Sequence, residues 1–177
     1  MRTLLFLALF LVTLNSFAQS NIQFRDIGFQ QALKSAHAEN KLVFFMGFAS
    51  WCGHCKNMKE EVFTDSSVAN FYNSHFVCIS MDMEKGDGME LKKKLDITSY
   101  PGLVFVDSTG KTVYQIMGEF KPADFIEQGK NSMIREKQLP YLQQQFEANP
   151  SDSDKCLQYL LALRRGGLDA TQMIDTY

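Results

Sequence analysis

The chain has few cysteines, no basic stripe and no apolar run long enough to span a bilayer, and each shortage closes off a class of function. Eighteen Lys and Arg stand against 20 Asp and Glu, a formal charge of −2. The basic residues form no stripe, so no nucleic-acid partner is expected, since such a partner is met through its phosphates. Four cysteines in 177 residues supply no second ligand pair for zinc. Cys78 and Cys156 stand far apart, His37 and His75 are isolated, and no metal is expected. A phosphate-cradling loop and a Ser/His/Asp motif order are both missing. Asp82 to Gly88 hints at a calcium loop, but the position that should carry the closing Glu falls on Lys93. A solvated loop is expected there, Lys92 to Lys94 read as an exposed helix face, and the nine Met are scattered as core filler.

The longest apolar run lies at the start. Leu4 to Leu14 is apolar apart from Thr13, follows Arg2, and leads to Ser16-Phe17-Ala18. A bilayer span takes about 20 residues, so the run reads as a cleaved export signal at 1–18, cut after Ala18. An uncleaved anchor is the alternative. No cysteine follows the cut, which argues against a lipid anchor. Cleavage removes Arg2 and no acid, leaving 17 basic against 20 acidic residues, or −3. The mature protein is expected to be periplasmic or secreted, where a cysteine pair escapes the reducing pools of the cytosol.

Against these shortages, the chain is rich in core formers, with 15 Phe and 45% hydrophobic residues. Its length suits one domain plus an extension. The decisive segment is Trp51-Cys52-Gly53-His54-Cys55. Leu42 to Phe48 before it reads as a buried strand, and Lys56 to Val62 after it reads as a helix ending near Phe63. The cysteines therefore sit where a strand turns into a helix N-terminus. Unpaired N–H groups and the positive end of the dipole stabilise a thiolate there, and can lower a cysteine pKa to roughly 3.5–7.5.

Other elements follow from pattern. Gly28 to Glu39 reads as a helix with Phe29, Ala32, Leu33 and Ala36 on one face. Asp65 is an N-cap for a helix through Tyr72, Phe76 to Met81 a second buried strand, and Met89 to Leu95 a helix. Leu103 to Val106 and Thr112 to Met117 flank a hairpin turn at Asp107 to Gly110. Pro122 opens a helix to about Glu136. Pro140 to Ala148 and Ser153 to Arg165 read as two further helices, and Asp169 caps a third that is interrupted at Tyr177. This tail resembles one helical-hairpin repeat.

On Trp51 to Cys55, and on Tyr100-Pro101 before the strand Leu103 to Asp107, the chain resembles the thioredoxin superfamily. Its CGHC core is similar to that of protein disulfide isomerases. Glu61 to Asp65, Val68 to Phe71 and Phe76-Val77 resemble the C-terminal domain of the bacterial thiol:disulfide interchange reductase. The resemblance covers about residues 22–137. It implies an α/β thioredoxin-like fold, a central mixed sheet flanked by helices, over 19–137; the helical C-terminal extension over 138–177 is read from the pattern of the tail and has no counterpart in the minimal fold. It also implies a protein-disulfide oxidoreductase with Cys52 as nucleophile and Cys55 as resolving thiol. Trp51 would form a lip beside Cys52, and Gly53 and His54 would be its active-site neighbours, His54 as an imidazolium favouring the thiolate. Pro101 would be cis and would turn the Tyr100 backbone toward substrate.

One departure stands out. The family often carries a buried acid six residues before the first cysteine, and here that position is Met46. Its usual lysine neighbour falls at Cys78. The proton of Cys55 must then leave through water or another group. Cys78 is expected to be an inert strand residue, a third redox thiol being the sharper alternative.

The resulting expectation is an exported oxidoreductase needing no dissociable cofactor beyond its Cys52–Cys55 couple. Its partners would be cysteine-containing exported proteins and a membrane thiol-disulfide electron donor or acceptor. CGHC favours an oxidase or isomerase, and the flanking residues favour a reductase. The alternative from another class is a non-catalytic binding module in which CxxC is a structural disulfide.

Overall fold

The computed structural model describes residues 21–171; the expected signal segment, and all but the start of the helix expected from near Ala170, lie outside them. Helix α1 (Phe29–Glu39) leads into strand β1 (Leu42–Phe48), followed by helices α2 (Gly53–Asn57) and α3 (Ser66–His75). Then come β2 (Phe76–Asp82), α4 (Gly88–Lys94), the hairpin β3 (Gly102–Val106) and β4 (Thr112–Met117), and α5 (Pro122–Met133). Helices α6 (Leu139–Ala148) and α7 (Ser153–Gly166) form the extension. The sheet order is β2-β1-β3-β4. β1 runs parallel to β2 and antiparallel to β3, and β4 is antiparallel to β3. This mixed sheet with flanking helices is a thioredoxin-like fold.

The apolar run of β1 follows from its central place, since a strand covered on both faces must be apolar on both. Its side chains alternate. Phe44 and Met46 pack with Cys78, Leu103 and Phe105 toward α2, α3 and α5. Val43 and Phe45 pack with Val77, Ile79, Val104 and Val106 toward α1 and α4. Aromatic rings fill the first layer: Tyr72 and Phe125 stack at 4.4 Å, and Phe44 meets Tyr72 edge-on at 4.9 Å. The Tyr72 hydroxyl donates to the Phe125 carbonyl at 2.9 Å, tying α3 to α5.

Three local outcomes differ from the expected pattern. The helix after Cys55 runs on as a wide turn of π type over Met58–Val62, with the Phe63 N–H reaching the Met58 carbonyl at 2.9 Å. That turn leaves Met58, Val62 and Phe63 all buried. Helix α5 stops at Met133 rather than near Glu136, because Ile134 turns extended and the Gln138 side chain donates to the Ser132 carbonyl at 2.9 Å. A single-turn helix, Arg135–Lys137, then leads to α6. Helix α3 runs three residues past Tyr72, to His75. The hairpin turn is as expected: Asp107 Oδ1 accepts the Thr109 and Lys111 N–H groups at 2.9 and 3.0 Å, and Gly110 takes a φ of 91°.

Candidate active site

Cys52 is the N-cap of α2, extended at φ −75°, ψ 106°, and its Sγ accepts the Cys55 N–H at 3.1 Å. The two cysteines are joined as a disulfide with Cα atoms 5.3 Å apart. The sulfur of Cys52 thus already takes a hydrogen bond from the helix start, where a thiolate would be stabilised. Cys55, one turn inside, is the more covered, at 2% exposure against 7%. Gly53 opens the helix; a Cβ there would meet nothing within 4 Å, so packing does not demand glycine.

Behind the pair the protein is apolar. Met46 is fully buried in the same cluster as Cys52 and Cys55. Cys78 lies opposite Phe44 on the neighbouring strand and faces the same layer. Burial pushes the Cys78 thiol up to about 12, against weaker opposite pulls from Arg25 and Lys41. Among the described residues no carboxylate or amine is buried, and the charged side chains of Lys59 and Glu60 line the cleft that opens on the pair.

The rim, by contrast, is charged and aromatic. Trp51 is 70% exposed, and its indole N–H donates to Glu84 Oε2 at 2.8 Å. Tyr100 meets Trp51 edge-on at 5.8 Å, and the Lys92 ammonium lies 5.0 Å from the Tyr100 ring. The Tyr100–Pro101 bond is cis. His54 is exposed and pairs through Nδ1 with Glu119 Oε2 at 2.7 Å, while Asn57 Nδ2 donates to the same carboxylate at 3.4 Å. The hydrogen bond from His54 holds the Glu119 carboxyl below the usual carboxylate range. A cleft of about 230 Å³ opens on both cysteines between Phe48, Ser50 and Lys59. The Lys59 ammonium sits 3.5 Å from the Phe48 ring centroid, and burial lowers its pKa while Asp82 opposes this. A larger cleft, about 730 Å³ between α1 and α4, holds no cysteine.

The structure therefore gathers Trp51, Cys52, Gly53, His54 and Cys55 at one helix start and brings Tyr100 to them through Trp51. Sequence reasoning missed Glu84, Glu119, Asn57 and Lys59. Glu84 and Glu119 lie 33 and 65 residues from their partners, and no local spacing marks them. The Asp82 to Gly88 loop, expected to be merely solvated, supplies the Trp51 partner.

Residues 29–131 match the model of the thioredoxin-like domain family. The disulfide bond reductase DsbH of Chlamydia pneumoniae is 27% identical over 105 residues, 53% of this chain and 61% of that protein. The chain thus spans less than two thirds of that relative's length. A candidate disulphide-isomerase from Bacteroides thetaiotaomicron, known from a solution structure, is 43% identical. It covers 64% of this chain with 93% of its own, at a TM-score of 0.58. The oxidised C-terminal domain of Neisseria meningitidis DsbD shares the fold at 22% identity and a TM-score of 0.51, with 63% of this chain and 98% of that one covered.

Proposed function

This chain belongs to the thioredoxin-like domain family, and from that premise we propose that it is an exported thiol-disulfide oxidoreductase acting on cysteines of other exported proteins. In this reading the thioredoxin-like domain runs over 19–137 and the helical extension over 138–177, after a signal segment cut near Ala18. One observation carries the reading: the Cys52 sulfur is bonded to Cys55 and takes the Cys55 N–H at a helix start, beside Trp51 and Tyr100.

In the reducing direction, the Cys52 thiolate attacks one sulfur of a substrate disulfide. A Cys52–substrate bond forms and the other substrate sulfur leaves as thiolate. Cys55 loses its proton and attacks the Cys52 sulfur. The second substrate thiolate departs, protons from solvent neutralise the products, and two electrons have passed to the substrate. The Cys52–Cys55 disulfide remains, and a membrane thiol-disulfide donor returns it to the dithiol. Toward a dithiol whose couple has a lower potential than Cys52–Cys55, the same steps run in reverse and the disulfide passes to the substrate. The couple is the only redox group required, and neither metal nor nucleic acid takes part.

His54 contributes positive charge when protonated, which favours the Cys52 thiolate and hence the reduced form. The potential should therefore lie between those of thioredoxin and protein disulfide isomerase, about 90 mV apart, and nearer the isomerase. Equilibration with glutathione gives that potential, and reduction of insulin tests the activity. A value at or below that of thioredoxin would remove the oxidase and isomerase direction. A failure to reduce insulin, with a folded protein, would leave CxxC as a structural disulfide.

A further inference from the structure

The segment 96–101 joins α4 to β3 and carries Tyr100 and Pro101. Its first residues are held by α4: the Asp96 and Ile97 N–H groups donate to Lys93 and Lys92 carbonyls at 3.3 and 2.9 Å. Its last carbonyl, on Pro101, accepts from the Gly118 N–H at 3.2 Å. The ties between come from β4 and from the extension. Gln115 Nε2 donates both to the Asp96 carbonyl and to the Gly166 carbonyl of α7, each at 3.2 Å. Thr98 Oγ1 donates to the Gly167 carbonyl at 3.0 Å, and the Ser99 hydroxyl to Met117 Sδ at 2.9 Å.

The end of α7 is shaped for this approach. A Cβ at Gly166 would lie 3.1 Å from Gln115 Cβ. At Gly167 it would lie 2.7 Å from Met117 Sδ and 2.9 Å from Thr98 Oγ1, and the residue holds a φ of 66°. Just before the two glycines, the Arg165 guanidinium stacks 3.9 Å from the Tyr114 ring, fixing α7 on β4. Helix α6 supports α7 through a small core of its own around Leu139, Leu142, Ala162 and Leu163.

We propose that the α6–α7 pair is a brace for the substrate-binding loop, with Gln115 and Thr98 as positioning residues that hold Tyr100 in register with Cys52. The loop's ligand would be the extended backbone flanking a substrate cysteine, paired in strand fashion. This rests on the oxidoreductase reading above. Fixing the loop before binding removes part of the ordering cost that a peptide would otherwise meet, while a small thiol reagent needs no such pairing.

The test compares the full chain with Gln115→Leu and with Thr98→Val, the latter an exposed, nearly isosteric change that spares folding. Insulin reduction should lose roughly tenfold in kcat/KM in Gln115→Leu and roughly threefold in Thr98→Val, mostly through KM. Reduction of the Cys52–Cys55 disulfide by dithiothreitol, and its potential, should stay at the wild-type value. Amide hydrogen exchange should quicken at residues 97–100 and remain unchanged in β1 and β3. Unchanged exchange at 97–100 in both variants overturns the brace, as does an equal loss toward insulin and dithiothreitol. If the wild type fails to reduce insulin, the oxidoreductase reading fails, and the exchange measurement alone still decides the brace.

Discussion

Cys52 and Cys55 differ by one helical turn, and that difference sets their expected chemistry. Cys52 caps the helix and is met by the Cys55 N–H, whereas Cys55 lies inside the helix and is the more covered of the two. In the reduced protein, iodoacetamide at pH 6 should modify Cys52 well ahead of Cys55, followed by peptide mass mapping; the reverse order would overturn the assignment. Cys78, whose thiol burial pushes to about 12, should stay unmodified until the chain unfolds. Met46 allows a second prediction. With no carboxylate buried among the described residues, Cys55 is expected to give up its proton slowly, so Met46→Asp should speed release of a Cys52–glutathione adduct near pH 7, by roughly tenfold. It should also cost about 2–4 kcal/mol of stability, since the new charge is buried without a partner. Stopped-flow rates and melting curves measure both; an unchanged rate and pH profile in a folded variant would mean that water or another group already carries the proton. The cysteines and the apolar substitution behind them were legible because they are local or lie at fixed offsets in a motif. Glu84 and Glu119 were not, because their loops meet Trp51 and His54 only after the sheet has formed.

Among the elements, strands and caps were the most readable. β1 and β2 are nearly continuous apolar runs, and Asp65 stands directly before α3. Its Oδ1 accepts the Ser67 hydroxyl and the Ser67 and Val68 N–H groups, the latter two at 2.9 and 3.1 Å. These bonds, the Ser67 hydroxyl first, hold the Asp65 carboxyl below its ordinary value. A depressed folded-state pKa means that the stabilisation is present above the unfolded carboxylate value, ~3.9, and is lost as pH falls through the folded one. Asp65→Asn should therefore melt below wild type at pH 7, and the gap should close as the medium is acidified below about pH 4. A gap independent of pH would show that the charge is irrelevant to the cap. The π-type turn at Met58–Val62 and the stop of α5 at Met133 were not legible. The first depends on keeping Met58, Val62 and Phe63 against one core, and the second on Gln138 capping a carbonyl six residues back. Neither leaves a periodic trace.

At the scale of the whole molecule, two layers of helices cover a four-stranded mixed sheet, and α6 and α7 are added beside β4. The resemblance carried by Trp51 to Cys55 and by Tyr100-Pro101 implied this layered sheet. The docking of α7 did not follow from its own sequence, because it runs through Gln115 and Tyr114 on a strand some 50 residues earlier. The central claim remains the exchange reaction at Cys52. Its most direct test is Cys55→Ser expressed in cells, where the step that frees the substrate is missing. Proteins released from non-reducing gel bands by dithiothreitol, and bridged peptides identified by mass spectrometry, report the outcome. The account predicts mixed disulfides joining Cys52 to cysteines of exported proteins, abolished by the further change Cys52→Ser. A folded, exported Cys55→Ser protein that forms no such adducts would contradict it.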